Sequence, residues 1–177
     1  TVVIEKAGEV IPAVVEVVMG KRPGKTRAYV LPKTCPECGS KAAKDESDVV
    51  WRCPNPDCSA QVRGRLEHFC ARGAMDIEGG GEVLVRQLVA HGLALNVGEL
   101  YKLSVAEVAN LDRMAEKSAQ NFIDGLEASK ERDLWRFIFG LGILHVGSGV
   151  AKALCRRYKN MDELMDAGEE ELVAIDD

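Results

Sequence analysis

The chain has 177 residues, of which 46% are hydrophobic, 29% are charged and 5% are aromatic. This composition is typical of a globular protein and excludes a disordered or fibrous one. The apolar runs are far shorter than the roughly 20 residues that a membrane span needs, so no membrane segment is expected. No secretion signal is visible, so secretion is not expected. The chain starts with Thr1 inside an apolar stretch, and not with Met, so we expect a piece of a longer protein.

The formal net charge of −5 is unevenly distributed. Residues 1–70 contain 11 basic and 9 acidic side chains, residues 71–161 contain 12 and 11, and residues 162–177 contain 8 acidic side chains and no basic one. Nearly balanced segments can still bind phosphate through backbone amides and a few placed cations. The overall sign therefore does not exclude a nucleic-acid partner.

The first 33 residues have the pattern of a β domain. Val2–Ile4, Ala13–Met19 and Ala28–Leu31 are the predicted strands, because they are rich in β-branched or aromatic residues and are separated by Gly and Pro. Three short strands cannot form a stable barrel by themselves. We therefore interpret this segment as the end of a β domain.

Four of the six cysteines cluster within 24 residues, at Cys35, Cys38, Cys53 and Cys58. The first pair is separated by two residues and the second by four, so all four thiolates can reach one tetrahedral cation. Such a closed site is structural, and zinc is favoured. A rubredoxin-like iron site is an alternative, as are disulfides or free thiols. Cys70 and Cys155 lie on apolar helical faces and are predicted to be core thiols.

From residue 61 onward the hydrophobic spacing is helical. Seven helices are predicted, over Arg63–Arg72, Glu82–His91, Ser104–Asn110, Glu116–Ala128, Leu134–Phe139, Gly149–Tyr158 and Met161–Ala167. The strongly acidic end of the chain is interpreted as a solvated helix face followed by a helix start.

This helical part contains a repeat of an apolar residue, a tight turn that ends in a small residue, and a new helix. The small residues are Gly81, Ala115 and Gly147, 34 and 32 residues apart, and a fourth unit starts at Leu172. A turn that leads into a helix N-terminus presents N–H groups to phosphate. One such turn would be explained by packing alone, but three in register favour binding to a duplex backbone.

The third unit is expected to bind more strongly than the second. Glycine tolerates positive φ, so we predict that Gly147 adopts it. At Ala115 the Cβ is expected either to strain the matching turn or to move its amides away from phosphate as the turn relaxes to another shape. Lys117 could compensate partly by reaching a phosphate. His145 lies in the third turn, where contact with phosphate, capping and packing explain it equally well.

No catalytic constellation is visible in the sequence. His68, His91 and His145 are far apart and have no recognisable nucleophile as a partner. The run Gly79–Gly81 lacks the Lys-Ser/Thr of a nucleotide-binding loop.

The segments in this order resemble the C-terminal half of bacterial NAD-dependent DNA ligases. The resemblance covers essentially the whole chain and is carried by the cysteine pattern and by Ala7–Pro12, Ala74–Gly79, Lys117–Asn121 and Phe137–Ile143. It implies the end of an OB-fold over residues 1–33, a four-cysteine zinc finger over 34–60 and a helix-hairpin-helix domain over 61–177. The last would contain three repeats and the start of a fourth, so the expected fold class is multidomain and mainly α.

By this resemblance, the parent enzyme uses NAD and magnesium to seal nicks in duplex DNA during replication and repair. It would be a cytoplasmic, nucleoid-associated bacterial protein and a monomer. The nucleophilic lysine and the NAD pocket would lie in an adenylation domain outside this chain. We therefore expect this chain to bind nicked duplex DNA without sequence preference, to hold structural zinc and not to ligate alone.

The alternative is a stand-alone, non-catalytic DNA-binding or repair scaffold built from the same zinc and helix-hairpin-helix elements. A Lys-x-Asp-Gly motif upstream would establish the ligase.

The resemblance also implies that Lys6, Val10 and Ile11 face DNA near the nick, although a hairpin at a barrel edge explains these residues equally well. With the repeats included, the expected DNA-binding residues are Lys6, Val10, Ile11, Gly79, Gly81, Ala115, Lys117, His145, Gly147 and Gly149. The chain departs from the family pattern at Gly80, where the first repeat usually has an apolar residue, and at Ala115, where the second usually has Gly. It also has Glu5 before Lys6 in place of a second basic residue, and Glu9 in place of Asp.

Overall fold

The computed structural model describes residues 1–8, 11–44 and 49–175 of the chain. The expected mainly α layout is confirmed, and the described residues contain one small sheet of two strands. The chain divides into two compact units, Thr1–Lys33 and Thr34–Asp177. None of the helices in the described part is long and apolar enough to cross a membrane.

The N-terminal unit is a β-hairpin followed by a loop. Strand β1 (Val2–Ala7) pairs antiparallel with β2 (Ile11–Val17), and a 3-10 turn follows at Met19–Lys21. The predicted third strand at Ala28–Leu31 is wrong, because this exposed segment has no ladder partner among the described residues. Strand propensity does not form a strand unless a neighbour pairs with its N–H and C=O groups.

The C-terminal unit is helical after a short irregular segment. Its helices in the described residues are α1 (Ser59–Cys70), α2 (Glu82–Ala90), α3 (Val97–Leu100), α4 (Val105–Ala109), α5 (Glu116–Ser129), α6 (Leu134–Gly140), α7 (Ser148–Arg157), α8 (Met161–Met165) and α9 (Glu169–Val173). All seven predicted helices are confirmed, with ends shifted by a few residues. Helix α9 lies in the acidic end of the chain, where a solvated helix face and a helix start were expected. Helix α3 was not predicted, because four residues are too few to show a periodic pattern.

The core of this unit forms around α1, α2, α4 and α5. Its largest fully buried side chains include Phe69, Phe122 and Leu88. Cys70 belongs to this core, as predicted, and burial raises the pKa of its thiol to about 12. Cys155 is only half-buried.

A second repeat relates α3 to α8. Asn96 caps α3 by accepting a hydrogen bond from the N–H of Glu99, whose carboxylate accepts one from the N–H before the cap. Asn160 and Glu163 make the same two bonds at α8. The chain thus uses one connector, a capped short helix, to join the second helical hairpin to the first and α9 to the third.

Gly80 lies against the end of α1, which explains the departure from the family pattern there. A Cβ at Gly80 would lie 2.6 Å from the Cβ and 2.7 Å from the Sγ of Cys70. The equivalent residues of the second and third hairpins are Met114 and Val146. The Cys70 side chain therefore fills the space beside Gly80.

Gly80→Ala is expected to lower the free energy of unfolding by about 1–3 kcal/mol, because the added methyl group overpacks the contact with Cys70. The matched control is Gly64→Ala inside α1, where an added Cβ meets nothing within 4 Å. The control should raise stability by about 0.5–1 kcal/mol, since Ala is the better helix former. Urea denaturation of the two variants measures both changes, and equal midpoints would contradict the expected contact.

Candidate metal centre and nucleic-acid interface

The four clustered cysteines lie together. The Sγ atoms of Cys35, Cys38, Cys53 and Cys58 are all within 4.8 Å of one another. The separation is 3.8 Å between Cys35 and Cys58 and 3.5 Å between Cys38 and Cys53. Ligands at 2.3 Å around a tetrahedral zinc would be about 3.8 Å apart, so this donor set fits that ion.

The first knuckle is closed by the backbone. The N–H of Gly39 donates to the carbonyl of Cys35 at 2.9 Å, and the N–H of Cys35 donates to the carbonyl of Ser40 at 2.7 Å. Gly39 has a φ of +73°, a conformation that glycine adopts without strain. The turn therefore aims both thiols of this knuckle to one side.

The second knuckle leads directly into α1. Cys58 is the N-cap of this helix and is only 1% exposed. Glu37, from the first knuckle, accepts hydrogen bonds from the Ser59 hydroxyl at 2.7 Å and from the Arg63 guanidinium at 2.9 Å. The hydrogen bond and charge of Arg63, together with the Ser59 hydroxyl, lower the pKa of Glu37. Both knuckles are thus attached to the first turns of α1.

The thiols differ in acidity. Hydrogen bonding with the side chain and backbone of Ser40 lowers the pKa of Cys38 to about 6. A hydrogen bond with the Asn55 backbone favours the thiolate of Cys53, but burial and the neighbouring thiols outweigh it and raise the pKa to about 12. A bound divalent cation would remove this difference in acidity between Cys38 and Cys53, because a coordinated thiol is deprotonated outright.

Three helical hairpins, α1–α2, α4–α5 and α6–α7, share one turn geometry. In each turn the fourth residue donates its N–H to the carbonyl of the first, with distances of 3.3, 3.2 and 3.0 Å. The third residue has positive φ, at +82° for Gly79, +59° for Arg113 and +68° for His145. The sequence repeat therefore corresponds to a repeated backbone conformation.

The prediction that Gly147 adopts positive φ is wrong. Gly81, Ala115 and Gly147 are the N-caps of α2, α5 and α7, with φ of −88°, −72° and −78°. These are extended conformations that any residue adopts, so Ala115 causes no strain. Positive φ falls two residues earlier, at positions where only the first hairpin has glycine.

The three N-caps leave the helix N-termini open. Among the described residues, no side chain accepts a hydrogen bond from the N–H groups of the helical turns that follow Gly81, Ala115 and Gly147, and these three residues are exposed. The N-termini of α3, α4 and α8, by contrast, are closed by the side chains of Asn96, Ser104 and Asn160. The free amides can therefore accept an anion at the hairpin turns but not at these short helices.

The other expected DNA-binding residues lie in two places. Lys117 and Gly149 are exposed in the first turns of α5 and α7, close to the open N-termini. Lys6 and Ile11 are exposed in β1 and β2, and Val10 falls outside the described residues. The expected set is thus divided between the two units.

Sequence reasoning did not weigh the acidic residues at the hairpins. Glu82 and Glu116 are the first residues of α2 and α5, whereas α7 begins with Ser148. The second turn residue is Glu78 in the first hairpin and Asp112 in the second, but Leu144 in the third. Aligning the repeat by charge as well as by small residues would have found this difference.

Another missed residue is Gln87 of α2. Its side-chain amide donates to the carbonyl of Asp112 at 3.2 Å and accepts from the N–H of the same residue at 2.8 Å. The first hairpin therefore holds the turn of the second in place.

Comparison with known proteins agrees with this architecture. Residues 34–60 match the family described as the NAD-dependent DNA ligase C4 zinc finger domain, and residues 136–177 match the helix-hairpin-helix motif. These two matches cover the cysteine cluster and the third helical hairpin with its continuation.

Relatives named DNA ligase match nearly the whole chain. The protein of Chlorobaculum parvum is 49% identical over 99% of this chain, that of Carboxydothermus hydrogenoformans is 48% identical over 97%, and that of Bacillus subtilis is 45% identical over 99%. In each case the match covers 26% of the relative, so the chain spans about a quarter of these proteins. The resemblance to NAD-dependent DNA ligases is therefore confirmed, and the chain corresponds to a segment of proteins of that family.

Proposed function

We propose that this chain is the part of an NAD-dependent DNA ligase that holds duplex DNA at a nick. The observation that carries the proposal is the set of three exposed helix N-termini that follow the hairpin turns without a capping side chain. Backbone amides in this arrangement bind phosphate and do not read base edges. A chain with a net charge of −5 can therefore bind a duplex through its backbone.

The proposal divides the work between this chain and the rest of the enzyme. Residues 1–33 are the end of an OB-fold that approaches the nick through Lys6, Val10 and Ile11, residues 34–60 are the zinc finger, and residues 61–177 are the helix-hairpin-helix domain. Nick sealing with NAD and magnesium belongs to the whole protein, a cytoplasmic bacterial monomer active in replication and repair. This chain alone binds DNA and does not ligate.

The zinc in this proposal is structural, with Cys35, Cys38, Cys53 and Cys58 as its four ligands. Four thiolates leave no open position for water, so the ion stabilises the fold of a segment too short to build a core. Since Cys58 is the N-cap of α1, the ion also anchors the helix that carries the first hairpin.

The three hairpins contribute unequally in this proposal. A carboxylate at the first position of a helix already satisfies the positive end of its dipole and repels phosphate. Glu82 and Glu116 occupy that position in α2 and α5, and Lys117 only partly offsets the second. The third hairpin has no acidic residue from Ile143 to Arg157, so it is the strongest phosphate contact.

One zinc ion per chain is expected in protein purified without chelator, measured by elemental analysis. Cys38→Ser should abolish stoichiometric zinc, while Cys155→Ser, the control, should retain it. Both variants should keep most of their helical circular dichroism, because the main hydrophobic cluster of the described residues starts at Val62, after the cysteines of the metal site. Stoichiometric iron, or metal retained by Cys38→Ser, would contradict the assignment.

Duplex binding is expected to show little sequence preference and a steep dependence on salt, since phosphates and not bases are contacted. Fluorescence anisotropy with nicked and intact duplexes of several sequences, each at two salt concentrations, measures both properties. Mass spectrometry after incubation with NAD should find no adenylated protein. A strong base preference, or an affinity independent of salt, would refute backbone binding.

Glu82→Gln and Glu116→Gln are each expected to tighten duplex binding about two- to fivefold, because removing a charge beside a helix N-terminus is worth about 0.3–1 kcal/mol. Ser148→Glu should weaken binding by a similar factor. Glu127→Gln is the control, since Glu127 lies near the opposite end of α5 and pairs with Lys130. If the control tightens binding as much as Glu116→Gln, net charge and not the helix N-terminus is responsible.

A further inference from the structure

The N-terminal unit carries a dense run of positive charge outside the DNA-binding residues discussed above. We name residues 21–27 the basic loop. It contains Lys21, Arg22, Lys25 and Arg27, and no Asp or Glu occurs between Val17 and Pro36. Every residue of the loop is exposed.

The loop has a defined shape. The N–H of Thr26 donates to the carbonyl of Pro23 at 3.3 Å, which closes a turn at Gly24. Across this turn, the Nε of Arg22 donates to the Thr26 hydroxyl at 3.1 Å. This bond fixes the Arg22 side chain across the turn that contains Lys25.

The bond to Thr26 orients Arg22 without neutralising it. A hydroxyl carries no charge, so the guanidinium keeps its full charge. Its Nη1 also donates to the Met19 Sδ at 4.0 Å, a weak bond to an uncharged acceptor that leaves the charge in place for an anion. Two other arginines, by contrast, are neutralised by carboxylates. Arg63 forms an ion pair with Glu37 at 2.9 Å, and Arg132 forms one with Asp76 at 2.9 Å. In the described part of the chain, no carboxylate forms an ion pair with a cation of the basic loop.

Four like charges within seven residues repel one another, and this repulsion is relieved when a polyanion binds. The cations offer only hydrogen-bond donors, which suit phosphate oxygens. The duplex backbone is favoured as the partner because the same chain presents open helix N-termini suited to phosphate. An acidic protein segment is the alternative to be tested.

We propose that the basic loop is a further duplex-binding surface, which contacts the phosphate backbone separately from the helical hairpins and from Lys6, Val10 and Ile11. This inference rests on the proposed function, since it presumes that the chain binds duplex DNA. It assigns Lys25 and Arg27 to direct phosphate contact, with Arg22 held across the same turn by Thr26.

The test compares two variants with the same change in net charge. Lys25→Gln/Arg27→Gln removes two loop cations and leaves the bond between Arg22 and Thr26 intact. Lys102→Gln/Lys130→Gln is the control, because Lys130 follows the C-terminal end of α5, opposite its hairpin turn, and pairs with Glu127. The affinity of each protein for a nicked duplex is measured by fluorescence anisotropy at about 50 and 200 mM salt.

Each phosphate contact contributes about 0.9 to the slope of log affinity against log salt. The loop variant lacks two of these contacts. Between about 50 and 200 mM salt, the wild-type affinity should therefore fall about tenfold more than the affinity of the loop variant, and the control should follow the wild type. A wild-type slope in the loop variant, or the same loss in the control, would overturn the inference while leaving duplex binding by the hairpins standing. Failure of the wild type to bind duplex at all would overturn the proposed function and this inference together.

A competition experiment addresses the alternative partner. Polyglutamate of matched charge should displace the duplex only weakly, because a duplex carries one charge per about 1.7 Å of its axis, about twice the linear charge density of an extended polyglutamate chain. If the wild type binds polyglutamate as tightly as duplex and the loop variant loses this binding, the loop is a docking site for an acidic protein and the inference is wrong.

Discussion

The close approach of two glycines to the end of α1 is the contact on which the arrangement of the C-terminal unit depends. Gly80 leaves room for Cys70, and Gly140 lets α6 approach until a Cβ there would lie 3.1 Å from the ring of Phe69. The Nε2 of His68 lies 2.8 Å from the carbonyl of Phe139, which adds a polar contact to the same interface. Because protein interiors are packed like crystals, the absence of two side chains sets the positions of the first and third hairpins.

The same helix links these hairpins to the cysteine cluster. It begins at Cys58, whose thiol belongs to the cluster, and ends at the residues that pack against both glycines. A rigid helix of 12 residues therefore relates the candidate zinc site to the proposed DNA-binding turns. Metal binding would stabilise one end of this helix, while burial of Leu66 and Phe69 stabilises the other.

Helix capping distinguishes the short helices α3, α4 and α8 from α2, α5 and α7, which follow the hairpin turns. Asn96, Ser104 and Asn160 fill the N-termini of α3, α4 and α8 with their own side chains. Gly or Ala at the hairpin N-caps leaves the same groups open, at a cost in helix stability of about 1 kcal/mol for Ala relative to Asn or Ser. Phosphate can reach these N–H groups because no N-cap side chain occupies them. A chain with an acidic composition can therefore still present phosphate sites.

Positive φ in the hairpin turns shows where inference from residue type reached its limit. The small residues Gly81, Ala115 and Gly147 were expected to permit positive φ in the turn. Instead they are N-caps without a capping side chain, which leaves the first N–H groups of the helix accessible. The positive φ is held by Arg113 and His145 in two of the three turns, at a cost on the order of 1 kcal/mol each. The turn hydrogen bond and the packing of both helices outweigh this cost, and neither can be read from residue type.

The sequence by itself determined the features that depend on local spacing. The distances between cysteines predicted one cluster, the apolar period predicted seven helices, and the recurrence of small residues located the three hairpin turns. Only the tertiary structure decided the contacts between distant residues, such as Gly80 with Cys70 and Gln87 with Asp112, and the absence of a strand at Ala28–Leu31. The physical reason is that periodicity and turn propensity act over a few residues, whereas a contact or a strand pairing depends on the path of the whole chain.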